Sequence, residues 1–115
     1  MGTKLFGISN CDTVKRAKRW LDKHNIEYSF HDFRVDGLAT SQVEEWISKE
    51  GWGTIINQRS KSWRSLDEAQ RKAMDDDAAI TAILDSPTLI KRPVLETGST
   101  RFFGFDEAAY RDAFG

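Results

Sequence analysis

The sequence predicts an α/β domain built on a mixed four-stranded sheet, in the order β-α-β, a helical insertion, then β-β-α. Three observations carry this expectation. Apolar or alternating runs at Leu5 to Ile8, Ile26 to Phe33, Val94 to Glu96 and Thr100 to Gly104 have strand character. A helical pattern separates the first two, which makes them a parallel pair joined by a right-handed crossover. Gly98 lies between the last two as a hairpin turn residue. The span from about residue 40 to 86 patterns as helix, so it reads as an insertion within a single domain covering residues 1–115.

Each element follows from its own residues. Leu5 to Ile8 is short and apolar enough to be buried on both faces. The next segment puts Val14, Ala17 and Leu21, with Trp20 at the fringe, on one helical face and Lys15, Arg16, Lys18 and Lys23 elsewhere. It stops around His24-Asn25, where Asn suits a C-terminal turn. In the second strand Ile26, Tyr28, Phe30 and Asp32 alternate with Glu27, Ser29, His31 and Phe33. Asp36-Gly37-Leu38 is a turn. Thr40 or Ser41 is then the expected cap of a helix, with Glu44 completing a capping box from Ser41, Val43, Trp46 and Ile47 as its stripe and Gly51 as its end. A further helix is expected from near Ser65, with Asp67 and Glu68 in its first turn and Leu66, Ala69 and Ala73 along one side. The run Asp75-Asp76-Asp77 reads as dipole-compensating residues at the start of another, with Ile80, Ile83 and Leu84 inward. A last helix spans roughly Asp106 to Phe114.

Composition narrows the function classes. The chain has 115 residues, 30% charged and 39% hydrophobic, which fits a globular domain with one core rather than disorder. A net charge of -1 gives no reason to expect a non-specific grip on nucleic acid or anionic membrane. The single cysteine excludes an internal disulfide and suits a reducing compartment. With no signal-like or membrane-spanning run, the expected location is the cytoplasm. One cysteine and two scattered histidines make no metal site.

That cysteine is the candidate nucleophile. Cys11 follows the first strand and opens the helical segment, so it stands at a helix N-terminus. Unpaired N–H groups and the positive end of the dipole favour thiolate there, and Lys15 and Arg16 add positive charge. The opposing observation is Asp12, whose carboxylate disfavours a second negative charge and which is itself a candidate cap. The plain alternative is that Cys11 is a small packing residue. His24 reads as a helix C-terminal residue, and His31 is no dyad partner of Asp32 because strand neighbours face opposite ways. The tryptophans read as packing residues; Trp63, beside Arg59, Lys61 and Arg64, is the one placed to line a groove.

The strings Phe6-Gly7-Ile8-Ser9-Asn10-Cys11-Asp12-Thr13, Phe30-His31-Asp32-Phe33-Arg34, Gly51-Trp52, Asn57-Gln58-Arg59 and Ile90-Lys91-Arg92-Pro93 occur in order. Each is weak alone. Together, at matching spacing over nearly the whole chain, they resemble the arsenate reductase-like (ArsC) family, closest to its YffB-like branch. Spx-type transcription regulators are in the same family. The resemblance implies a thioredoxin-like fold, in which a cis-proline loop at Pro93 faces the catalytic cysteine, Cys11. It also implies oxyanion-binding roles for Arg59 and Arg92, whose planar guanidinium groups can grip a carboxylate or oxyanion in paired hydrogen bonds. Without it, Arg59 reads as a solvated surface residue and Arg92 as half of a salt bridge to an acid of the insertion.

Two departures from the family shape the expected activity. Arsenate reductases of this fold carry another arginine in the hairpin after the proline, where Thr100-Arg101-Phe102-Phe103-Gly104-Phe105 has glycine or phenylalanine. Arg101 is adjacent but on the opposite strand face. Spx-type regulators often place a second cysteine three residues after the first, where this chain has Val14. The expected function is therefore that of a thiol reductase using Cys11 with an external small thiol, glutathione, as co-substrate and no bound cofactor. Thr13 and Val14 would offer backbone N–H groups to developing negative charge, Lys15 would support the thiolate, and Arg59, Arg92 and Pro93 would bind the thiol or substrate. The alternatives are a non-catalytic Spx-like regulator contacting RNA polymerase or another protein, and an arsenate reductase proper.

Overall fold

The computed structural model describes residues 2–114. In chain order its elements are β1 (Thr3–Gly7), α1 (Asp12–Lys23), β2 (Ser29–Asp32), α2 (Thr40–Glu50), α3 (Trp52–Ile55), α4 (Lys61–Arg64), α5 (Glu68–Lys72), α6 (Asp76–Asp85), a 3-10 turn (Pro87–Leu89), β3 (Val94–Thr97), β4 (Thr100–Phe103) and α7 (Glu107–Phe114). They form two compact units. One holds the chain up to Gly37 and from Arg92 onward, and the other is Leu38–Lys91.

The first unit contains a four-stranded sheet in the order β2-β1-β3-β4. β1 and β2 run parallel, with Leu5 opposite Phe30 and Gly7 opposite Asp32. β3 is antiparallel to β1, with Phe6 opposite Val94, and β4 is antiparallel to β3. The predicted mixed sheet is therefore present. Its core gathers Leu5 and Leu95 with Ala17, Trp20 and Leu21 of α1 and Tyr110 of α7. β1 is buried on both faces, since Leu5 and its neighbour Phe6 are both enclosed. The Phe6 ring also lies 5.2 Å from that of His31 and 6.4 Å from that of Phe33.

α1 ends as its sequence suggests. Asn25 adopts a left-handed φ of 57°, and the Ile26 N–H reaches back to the Leu21 carbonyl at 3.0 Å. That bond shortens the second strand. Ile26 is committed to the helix end, so β2 starts at Ser29 rather than Ile26. β1 likewise lies two residues earlier at its start than the apolar run, because Thr3 and Lys4 pair with Thr97 and Glu96.

The second unit is helical. Trp46 and Val43 of α2 are buried, as are Ile83 and Ala79 of α6, while Ile80 and Leu84 are only partly so. Several expected details differ. α2 is preceded by Ala39 at its cap position with no side-chain cap, and the Ser41–Glu44 capping box is absent because Ser41 already lies inside the helix. The capping box forms instead at Asp67, which accepts from the Gln70 N–H while Gln70 accepts from the Asp67 N–H. α5 therefore begins at Glu68, not Ser65, and none of its residues is buried, so Ala69 and Ala73 form no inward stripe. The one-turn helices α3 and α4 have no counterpart in the periodicity, which needs more than one turn to show. Asp75 caps α6 by accepting from Ala78 N–H, and Asp76 and Asp77 sit in its first turn as the dipole argument requires. No helix among the described residues is long and apolar enough to cross a membrane.

Candidate functional site

The turn between β1 and α1 spans only Ile8 to Cys11. Cys11 is the N-cap residue of α1, with extended backbone (φ -99°, ψ 125°), and its side chain is partly exposed. Asp12 is not the cap; it is the first helical residue and points to solvent. The Lys15 N–H bonds the Cys11 carbonyl at 3.0 Å, which starts the helical ladder. The N–H groups of Asp12, Thr13 and Val14 precede that ladder and lack intrahelical acceptors. A thiolate or other anion at Cys11 thus meets a helix terminus with donors to spare. Lys15 is exposed one turn into the helix. Val14 is fully buried, and a Cβ on Gly7 would lie 2.7 Å from its Cγ2. A glycine is needed there for α1 to approach β1 so closely.

The Arg92–Pro93 peptide bond is cis. It leads directly into β3, and the Phe6–Val94 register brings it to the same end of the sheet as Gly7 and the Cys11 turn. Pro93 is buried and its carbonyl accepts from the Gly104 N–H at 2.9 Å. Arg92 is partly buried, and its Nη1 is enclosed without any hydrogen-bonding partner, so the salt-bridge reading of this residue finds no support. Arg101, across the hairpin, is committed elsewhere: its Nε donates to Glu96 Oε2 at 2.8 Å in a largely buried pair.

The remaining candidates are placed as follows. Arg59 belongs to the helical unit, in the loop after Ile56; its N–H donates to Asn57 Oδ1 and its side chain is exposed. Trp63 stacks on Trp52 with centroids 5.9 Å apart. His24 caps the end of α1, donating from Nδ1 to the Trp20 carbonyl, with its ring stacked on Trp20. His31 donates from Nε2 to the Gly37 carbonyl at 2.7 Å, apart from Asp32. Among the described residues no cluster of histidine, cysteine and carboxylate side chains could hold a metal ion.

Sequence reasoning passed over Asp32, which is the buried charged residue next to the Cys11 turn. It is 7% exposed. Its Oδ2 accepts from the Ser9 N–H at 3.1 Å and its Oδ1 from the Arg34 N–H at 2.8 Å. Burial alone would raise its pKa, but bonds from the Arg34, Ser9 and Val35 backbone and from the Ser9 side chain outweigh it and hold the carboxyl below its ordinary value. The signal available was a carboxylate at an inward position of an alternating strand.

The chain is similar to known proteins over nearly its whole length. The sequence profile of the ArsC family matches residues 6–113. An uncharacterized protein of Haemophilus influenzae is 43% identical over 110 residues, covering 96% of each chain. The global transcriptional regulator Spx of Streptococcus pyogenes is 27% identical, over 93% of this chain and 81% of its own. Among solved structures, a protein named YFFB superimposes with a TM-score of 0.93 at 41% identity, covering 98% of this chain and 99% of that one. An arsenate reductase (ArsC) related protein from Brucella melitensis does so with a TM-score of 0.82 at 35% identity, covering 99% and 95%.

Proposed function

The chain belongs to the ArsC family, and from that premise we propose that it is a thiol reductase in which Cys11 is the nucleophile and glutathione the co-substrate. The observation that carries this reading is the setting of Cys11: a partly exposed thiol on the N-cap residue of a helix, with no side-chain bond to the helix's first N–H groups, in a chain with no second cysteine. A helix terminus of this kind favours the thiolate, which is the attacking form.

In the proposed cycle the Cys11 thiolate attacks the glutathione sulfur of a mixed disulfide R–S–S–G. The Cys11–glutathione disulfide forms, the S–S bond of the substrate breaks, and the thiolate RS⁻ leaves and takes a proton. A glutathione thiolate then attacks the glutathione sulfur on Cys11. This yields oxidised glutathione and regenerates Cys11. The substrate disulfide is reduced by the incoming thiol, and no electron is left over. Arg92, with its unpartnered Nη1 beside the cis-Pro93 peptide, is assigned to a glutathione carboxylate. Arg59 is assigned to an anionic group of the glutathionyl substrate, and Thr13, Val14 and Lys15 to support of the negative charge near Cys11. The reading also places the protein in the cytoplasm, where the reducing thiol pool resides.

The test is reduction of a glutathionylated peptide by excess glutathione, with mass spectrometry of the trapped enzyme. Wild type should turn over and carry a single glutathione on Cys11, and Cys11→Ser should do neither. Turnover unaffected by Cys11→Ser would sink the proposal. A regulatory reading draws on the Spx relatives; it predicts a protein partner whose binding survives Cys11→Ser. Arsenate reduction is the weaker expectation, because Arg101 is held by Glu96.

A further inference from the structure

We propose that Asp32, on the strand paired with β1, is the positioning residue for Cys11, holding the β1–α1 turn in place through Ser9. The proposal rests on Cys11 being the working thiol, and it identifies a residue that touches neither substrate nor thiol.

Asp32 lies level with Gly7, the last residue of β1, so its carboxylate reaches just past the strand end. There it accepts from the Ser9 N–H, two residues before Cys11, at 3.1 Å. The other oxygen accepts from Arg34 N–H in the turn after β2, and the Asp32 N–H is in turn bonded to Asp36 Oδ2 at 3.0 Å. One buried group therefore ties two loops together. Apart from that tie, the turn's main-chain bonds are the long one from Cys11 N–H to the Ile8 carbonyl, at 3.3 Å, and the Lys15 N–H to the Cys11 carbonyl, at 3.0 Å, which fixes its helical end but not Ser9. Ser9 and Asn10 are exposed and bring no packing of their own.

The chemistry of the group points the same way. A buried carboxylate is costly unless it is bonded, and no cation among the described residues forms an ion pair with Asp32. All of its recorded bonds come from the two loops, so its place in the fold is explained by what it holds. Asparagine has the same shape, but its amide would turn a donor toward one of the backbone donors. Asp32→Asn should thus release one loop while leaving the volume unchanged.

The experiment compares wild type, Asp32→Asn and Asp36→Ala in three readouts: the pH profile of Cys11 alkylation by iodoacetamide, amide hydrogen exchange at Ser9, and the urea midpoint. Asp36→Ala removes an acceptor from the same turn without touching the tie to Ser9, so it controls for a purely structural effect. For Asp32→Asn the expected result is faster exchange at Ser9 and an alkylation rate reduced on the order of tenfold, with a displaced pH profile. Asp36→Ala should lower the urea midpoint and leave Cys11 alkylation as in wild type. The proposal is overturned if Asp32→Asn leaves Ser9 exchange and the alkylation profile unchanged, or if Asp36→Ala alters them equally. If wild-type Cys11 reacts no faster folded than unfolded, the nucleophile reading fails instead, and Ser9 exchange still decides whether Asp32 holds the turn.

Discussion

Asp32 and Arg92 are buried polar groups with opposite situations, and they should respond oppositely to mutation. Asp32 spends its oxygens on main-chain donors, so Asp32→Ala strands those donors and is expected to cost about 1–3 kcal/mol in urea denaturation at pH 7. The pH dependence follows from the lowered pKa. Because the folded value lies below the unfolded one, the stabilisation is complete above the unfolded value of about 4 and is lost as pH falls through the folded value. Between pH 5 and 2 the urea midpoint of wild type should therefore fall more steeply than that of Asp32→Asn. Arg92 has an enclosed Nη1 that bonds nothing, so removing its guanidinium forfeits no internal hydrogen bond there. Arg92→Lys should leave the urea midpoint close to wild type. It should raise KM for a glutathionylated substrate about ten- to a hundredfold, the value of a hydrogen bond to a charged group of about 1.5–3 kcal/mol, with little change in kcat. An unchanged KM would remove Arg92 from the binding site.

At the scale of elements, the position of Cys11 depends on how closely α1 approaches β1. Gly7 faces Val14 with no room for a methyl group, since a Cβ would sit 2.7 Å from a Val14 methyl carbon. Gly7→Ala is expected to cost about 1–3 kcal/mol as an overpacked contact and to shift the start of α1. Val14→Ala alone opens a cavity, yet in combination with Gly7→Ala it clears the clash. A double-mutant cycle in urea should therefore show the pair to be less destabilised than the sum of the singles. Strict additivity would mean the helix start moves freely instead. This level was partly legible in the sequence. The two-faced burial of the Leu5–Phe6 run, the Val14–Ala17–Leu21 face and Asn25 after the helix agree with the sequence, because each reflects a local preference. The capping box forms at Asp67–Gln70 rather than Ser41–Glu44 although both satisfy the same spacing, because the chain entering from Leu38 and Ala39 already places Ser41 inside α2. The start of β2 differs from the pattern for a related reason. Ile26 fits a strand pattern but is held by a bond back to Leu21, which no periodicity displays.

For the whole molecule, topology rather than any local motif brings the candidate site together. Cys11 and Arg92 are far apart in sequence, and it is the antiparallel pairing of β1 with β3 that carries the Arg92–Pro93 peptide to the end of the sheet where α1 starts. The sequence strings around these residues were legible only as a family resemblance. The enclosed, unbonded Nη1 of Arg92 and the loop tie at Asp32 are not legible, because both depend on what surrounds a buried atom. With one cysteine in the sequence, a mixed disulfide on Cys11 has no second cysteine to resolve it. Position 14 offers a direct check. It lies three residues after the N-cap, and side chains at that spacing are about 5–6 Å apart at Cβ, near enough for a disulfide after modest adjustment. Val14→Cys should let the Cys11–glutathione adduct collapse to an internal disulfide, releasing glutathione. Turnover should then slow in glutathione alone and recover with a dithiol reductant, while wild type needs only the monothiol. If wild type already resolves its adduct without added thiol, the single-thiol cycle is wrong, and another group on the protein or on the substrate performs that step.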